Sequence, residues 1–182
     1  MPKIEEIRWQ AYCYLAYGFK ALSYFNIVSP RAQGGFSNAP IMQNGDVPDP
    51  VLLENIGELN WEIRAVGNEM LSMQTVHAYH TQDISTYYAK GIVELLPEDY
   101  RIRPLEKENK FIISEHETKD CFMIVNNNFE WEGEAKFFVA DAKEIFVFVP
   151  ATKTYQKCVY EDGILSIAFK KGEGLLFKIK ES

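Results

Sequence analysis

Residues Arg8 to Pro30 read RWQAYCYLAYGFKALSYFNIVSP. The stretch begins with a helical pattern, ends with an extended one, and offers almost no solvent face. Residues 4–17 are predicted as a first helix, with Gly18 close to its C-terminal end. Trp9, Ala11, Tyr12, Cys13, Leu15 and Ala16 point around most of its circumference, the pattern of a helix buried inside a larger structure. Residues 21–28 (ALSYFNIV) follow as a short buried strand, and LSYF within it suits a parallel strand covered on both faces. One helix and one such strand do not make a closed sheet. The segment needs neighbours.

A loop rich in Pro, Gly, Asn and Ser runs from 29 to 48, long enough to count as functional or mobile. Asp49-Pro50 then opens a second helix, with Asp as N-cap and Pro in the first turn. Leu52, Ile56, Leu59, Ile63, Val66 and Met70 alternate spacings of four and three, one stripe of a helix ending near Met73. Glu54, Glu58, Glu62 and Arg64 fall off the stripe and are expected to meet water. A coiled coil gives the same spacing, but so does one long helix packed on its own domain, which is the reading adopted.

Beyond residue 75 the pattern turns to strands. The candidates are 76–81, 111–117, 121–126, 135–140, 144–149, 154–160, 164–169 and 175–180. Asn126-Asn127-Asn128, Asp141, Pro150, Glu161-Asp162-Gly163 and Lys171–Gly174 punctuate them. Short strands with tight turns suggest an antiparallel sandwich, and residues 82–109 read as a connecting excursion. The expected fold class is therefore α+β. A helix–strand–loop–helix unit, residues 1–75, precedes an antiparallel β-sandwich, residues 76–182.

The bulk properties narrow the function. With 182 residues, 47% of them hydrophobic, the chain can bury a sizeable core. Its formal net charge of −7 comes with no basic cluster, so no nucleic-acid partner is expected. No apolar run approaches the roughly 20 residues of a membrane span, and no secretory signal pattern opens the chain. Cys13, Cys121 and Cys158 make an odd count without CxxC spacing, expected as reduced thiols of a cytoplasmic protein. A Cys121–Cys158 bridge between strands is the alternative.

The run IRWQAYCYLAYGFKALSYFNIVSP resembles the late barrel segment of (β/α)8 glycoside hydrolases, in particular the β-galactosidase-like family 42 and its relatives. Those enzymes carry a run similar to RWQAYLALAYGAKGIMYFTYWTP as seventh helix and eighth strand. Asn44-Gly45 leads into a helix resembling the eighth barrel helix, with Leu59-Asn60 and Glu62-Ile63 matching an "LN-EI" pattern. The closing GEGLLFKI, residues 172–179, is similar to the "GDGRLFRL" strand that ends the C-terminal β-domain of such proteins. The resemblance implies that residues 1–75 are the C-terminal part of a TIM-type barrel. It also implies that the two catalytic glutamates, after the fourth and seventh strands, fall upstream of Met1. Retaining hydrolysis needs both, roughly 5 Å apart. No catalytic residue is therefore assigned, and the chain alone is expected to be inactive. Its expected partners are an N-terminal barrel fragment or a second copy of itself.

Two residues are candidates for sugar contact. Asn26 sits at the end of the expected eighth strand, where barrel sites lie. The family's tryptophan position there is Val28, which offers no flat face to a pyranose. Trp131, with Phe129 and Tyr155 or Tyr160, could line a stacking platform on the sandwich, although aromatic residues also fill sandwich cores. The alternative function is thus a non-enzymatic carbohydrate-binding or protein-interaction module. His77 and His80 in VHAYH point to opposite faces of a strand, so no metal site is expected. Glu94, Glu98 and Asp99 read as a solvated loop, and Glu115 and Glu117 as residues of an edge strand. No cofactor motif occurs.

Overall fold

A computed structural model describes residues 2–24, 28, 40–42, 44–82 and 93–181. The chain is α+β, with two helices and mostly antiparallel sheets among these residues. Helix α1 spans Ile4–Ala16 and α2 spans Pro50–Met70. Strands β1 (Thr75–His80), β2 (Glu94–Leu95), β4 (Phe111–His116), β5 (Cys121–Asn126), β7 (Ala142–Val149), β8 (Thr154–Lys157) and β11 (Gly174–Glu181) form one sheet in the order β2-β1-β4-β5-β11-β7-β8. Strands β3 (Ile102–Pro104), β6 (Gly133–Val139), β9 (Val159–Glu161) and β10 (Ile164–Phe169) form a second, ordered β3-β6-β10-β9.

The two sheets enclose an aromatic core. Phe111, Phe122 and Phe177 of the larger sheet meet Phe137, Leu165 and Phe169 of the smaller, with Ile113, Ile124 and Ile145 filling between them. Phe122 and Phe177 are cross-strand partners whose rings stack at 4.9 Å. Full burial of one such side chain stabilises by about 1.5–3 kcal/mol, so these rings dominate the sandwich.

The other face of the larger sheet is apolar as well. Ala78, Ile112, Met123, Val125, Phe148 and Leu176 form a second core with Tyr12 and Ala16 of α1 and Ala65, Val66 and Met70 of α2. Strand β5 (CFMIVN) is accordingly buried at every position. This second core draws on both sides of residue 75. The expected helical unit and the expected sandwich share it.

Local chemistry sets the helix ends. Asp49 accepts the Leu52 N–H at 2.8 Å, with Pro50 in the first turn, as expected. Helix α1 stops at Gly18, whose φ is +83°. The Gly18 N–H donates to Leu15 O and the Phe19 N–H to Tyr14 O, and the Tyr14 and Phe19 rings meet at 5.3 Å. These are the paired bonds and apolar contact of a Schellman ending. Lys20 next donates to the carbonyls of Met70 and Met73, placing a cation on the C-terminal end of α2.

Several expectations are corrected. Residues 21–24 are not in a strand, and Ala21 and Ser23 are exposed; the chain leaves the Schellman turn to reach the end of α2 instead of entering a sheet. Among the described residues, Val28 makes an isolated bridge with Ile41. A barrel remnant is thus not confirmed among these residues, and residues 25–27 of the expected strand lie outside them. The predicted strand 154–160 is two strands in different sheets, broken at Cys158, whose N–H donates to Ile145 O. Such a switch makes the corner of a sandwich. Strand β4 lies between β1 and β5 and is not an edge. The excursion 82–109 contains β2 and β3, while 83–92 lie outside the described residues.

Close approach explains GEG. A Cβ on Gly172 would fall 2.7 Å from Glu5 O and from Trp9 Cβ, and one on Gly174 would fall 2.4 Å from the Tyr12 ring. Gly174→Ala should therefore lower stability by about 1–3 kcal/mol through overpacking. Gly57→Ala, on an exposed turn of α2 with open space around it, should raise stability by about 0.5–1 kcal/mol. Urea unfolding of the two variants checks both signs.

Candidate functional site: the flanks of the helical layer

The residues expected to contact sugar do not converge. Asn26 lies outside the described residues. Trp131 is half-buried, packed edge-on against Phe111 at 6.1 Å and against Gly133. Phe129 meets Trp9 of α1 at 5.5 Å. Tyr160 packs on the sandwich core and donates its hydroxyl to Val139 O, whereas Tyr155 packs on the opposite face of the larger sheet, beside Phe148.

The histidines occupy separate places. His77 Nδ1 lies 2.8 Å from Glu94 Oε2, and His80 Nε2 lies 2.7 Å from the Tyr17 hydroxyl. Glu94 is therefore a pairing residue of β2. All three cysteines are free thiols. Burial pushes Cys13 up to about 12 and Cys121 and Cys158 up to about 11, so each is a poor nucleophile.

Among the described residues, a smaller and a larger recess flank α2. The smaller, of about 400 Å³, lies between α1, residues 19–24 and α2. Tyr14, Phe19, Tyr24 and Leu71 line it, and the Tyr24 hydroxyl donates to Asn60 Oδ1 at 2.8 Å. Around it Tyr14 is 49% exposed, Tyr17 45%, Phe19 56% and Leu71 60%.

The larger recess, of about 810 Å³, lies between α2, the β7–β8 hairpin and the turn from β10 to β11. Tyr12, Glu62 and Glu173 are among its lining residues. The Tyr12 hydroxyl donates to Glu62 Oε1 at 2.5 Å, and Glu173 Oε2 accepts the Lys170 N–H at 2.8 Å. Burial raises the Tyr12 phenol well above its ordinary value, with the Glu62 charge adding to the effect. Burial likewise raises Glu173, helped by Glu62 and opposed by the Lys170 N–H bond, Lys170 and Arg8.

The helical stripe assigns Glu62 to water, and no motif in the sequence marks Tyr12 or Glu173 as site residues. Glu62 is half-buried because its neighbour across the layer is a tyrosine hydroxyl. The usable signal was Glu173 itself, a carboxylate between two glycines at the mouth of an apolar strand.

A third polar group lies under the C-terminal end of α2. Ser114 and His116 are buried on β4, with Ser114 Oγ 3.3 Å from His116 Nε2. His116 Nδ1 and Asp120 Oδ1 are buried without hydrogen-bond partners. No family model, curated protein or solved structure matches the chain.

Burial, with the nearby Lys20 charge, lowers the His116 imidazole to about 4, against a smaller raising effect of Asp120. The neutral ring is the one that fits. Between the unfolded value near 6.5 and about 4, the unfolded chain binds more protons than the folded one. Stability held above pH 6.5 is therefore lost as pH falls through that window. The His116 ring protons, followed by NMR, should titrate with a midpoint near 4, and His116→Gln should flatten this part of the acid limb.

Proposed function

We propose that this chain is the C-terminal part of a glycoside-hydrolase-like protein of the β-galactosidase type. In this reading residues 1–75 provide the last steps of a (β/α)8 barrel and the sandwich is the accessory β-domain. The chain alone is noncatalytic, since the resemblance assigns both catalytic glutamates to other segments and retaining hydrolysis needs the pair.

The observation that supports this is the uncovered aromatic face of the helical layer. The Tyr14–Phe19 contact of the Schellman ending uses one side of each ring, and about half of each remains open to solvent. Leu71, which lines the same recess, extends the patch. Contiguous exposed apolar area of this kind marks a docking surface. Residues 21–24, aligned with the start of the family's eighth strand, adjoin the patch without being in a strand themselves. The missing neighbours are the remaining βα units; without them, a second copy of the chain covers the same face.

Assay of the purified chain on 4-nitrophenyl β-D-galactoside should give no turnover, and turnover by the chain alone would sink the reading. Sedimentation should show concentration-dependent self-association that Tyr14→Ser with Phe19→Ser abolishes. A wild-type chain that stays monomeric throughout counts against the docking face.

A further inference from the structure

We propose that the larger cleft beside α2 binds an organic ammonium ion, a small molecule with an apolar body and one protonated amine. The inference does not rest on the barrel reading. At about 810 Å³ the cleft has the size of small-molecule sites, which run from about 300 to 1,000 Å³. Its walls are apolar, formed by Val66 of α2, Val149, Pro150 and Ala151 of the hairpin, and Ile167 and Leu175 of the strands.

The polar groups decide what such a site accepts. The Tyr12 hydroxyl has one proton and gives it to Glu62. Each carboxylate, Glu62 and Glu173, accepts one bond and keeps further lone pairs. These side chains therefore present acceptors and no free donor, and a ligand meeting them must donate. Their charges also oppose each other: burial raises Glu173 and the Glu62 charge adds to that rise, while the Lys170 N–H bond, the Lys170 charge and Arg8 offset part of it. A cation placed between them relieves that repulsion and makes charge-assisted bonds.

The rest of the lining argues the same way. No Asn, Gln, Ser, Thr, His or Arg lines the cleft among the described residues. A saccharide, which needs donors and acceptors around its ring, finds acceptors in the carboxylates but side-chain donors only in Lys153, Lys170 and the Trp61 indole. An anion finds only Lys153 and Lys170, both exposed, against the three carboxylates of Glu58, Glu62 and Glu173. Trp61 also lines the cleft, 70% exposed. The Arg64 guanidinium carbon lies 5.6 Å from its ring centroid, and an exposed indole face attracts cations.

The test is an NMR titration at neutral pH with 2-phenylethylammonium chloride, its neutral counterpart 2-phenylethanol, and methyl β-D-galactoside. The ammonium ion should saturate and shift the amides of Trp61, Ala151 and Leu175, and bind at least about tenfold more tightly than the alcohol. Glu62→Gln and Glu173→Gln should each weaken it by about tenfold. Both amides retain an acceptor oxygen for the Tyr12 and Lys170 bonds, so folding should survive. Trp61→Ala, at an exposed site, should weaken binding with an unchanged melting curve, and Glu144→Gln, outside the cleft, should leave it unchanged. Equal affinity for ion and alcohol, preference for the galactoside, or no saturation at millimolar concentration would each overturn the proposal.

Discussion

Helix α1 lies on the turn at residues 172–174 so closely that neither Gly172 nor Gly174 has room for a Cβ. The rest of the structure follows from that contact. It sets the height of α1 over the larger sheet and brings Tyr12 and Ala16 onto Met123, Val125 and Leu176. The larger sheet is apolar on both faces, and without the helices one face would be open to water. Trp9 fixes the lateral position by donating to Asn127 Oδ1 at 2.7 Å. Tyr12, reaching across to Glu62, ties α2 to α1 in the same layer.

The Asn126-Asn127-Asn128 run is the counterpart of this contact on the sandwich side. Buried Asn126 donates its amide to the carbonyls of Trp131 and Lys170. Asn127 receives Trp9, and Asn128 accepts the N–H groups of Glu130 and Trp131. In the sequence the three residues looked like one interchangeable turn signal. Each has a different partner, two of them contributed by elements more than 40 residues away.

What was legible in the sequence is what local patterns encode. The Asp49-Pro50 start of α2, the Gly18 end of α1 and the strands at 121–126 and 164–169 emerged with their observed bounds or close to them. Asp162-Gly163 turned β9 into β10 with positive φ at both residues, as a two-residue hairpin requires. The misassignments arise where tertiary contact overrides pattern. LSYF has the apolar pattern of a run covered on both faces, but the run that is so covered is CFMIVN of β5. Residues 154–160 gave no sign of changing sheets, because a corner needs no break in β-propensity. The cleft was invisible for a related reason. Tyr12, Glu62 and Glu173 stand far apart in sequence, and Glu62 sits on the face of α2 that the stripe rule assigns to solvent.

The helical layer can serve the sandwich and a further partner together because its two duties fall on different sides of α1. With 3.6 residues per turn, Trp9, Tyr12 and Ala16 share the side turned to the sheet and its turns, where the contacts of Trp9 and the burial of Tyr12 and Ala16 are found. Tyr14 falls on the far side and is exposed, whereas Tyr17, at the helix end, reaches back to His80 of β1. A helix with an apolar residue on nearly every bearing is therefore half explained by this fold. The sandwich accounts for one side, and the Schellman contact for part of the other. The remaining aromatic surface has no local cause, and a surface without a local cause is where a partner is to be sought.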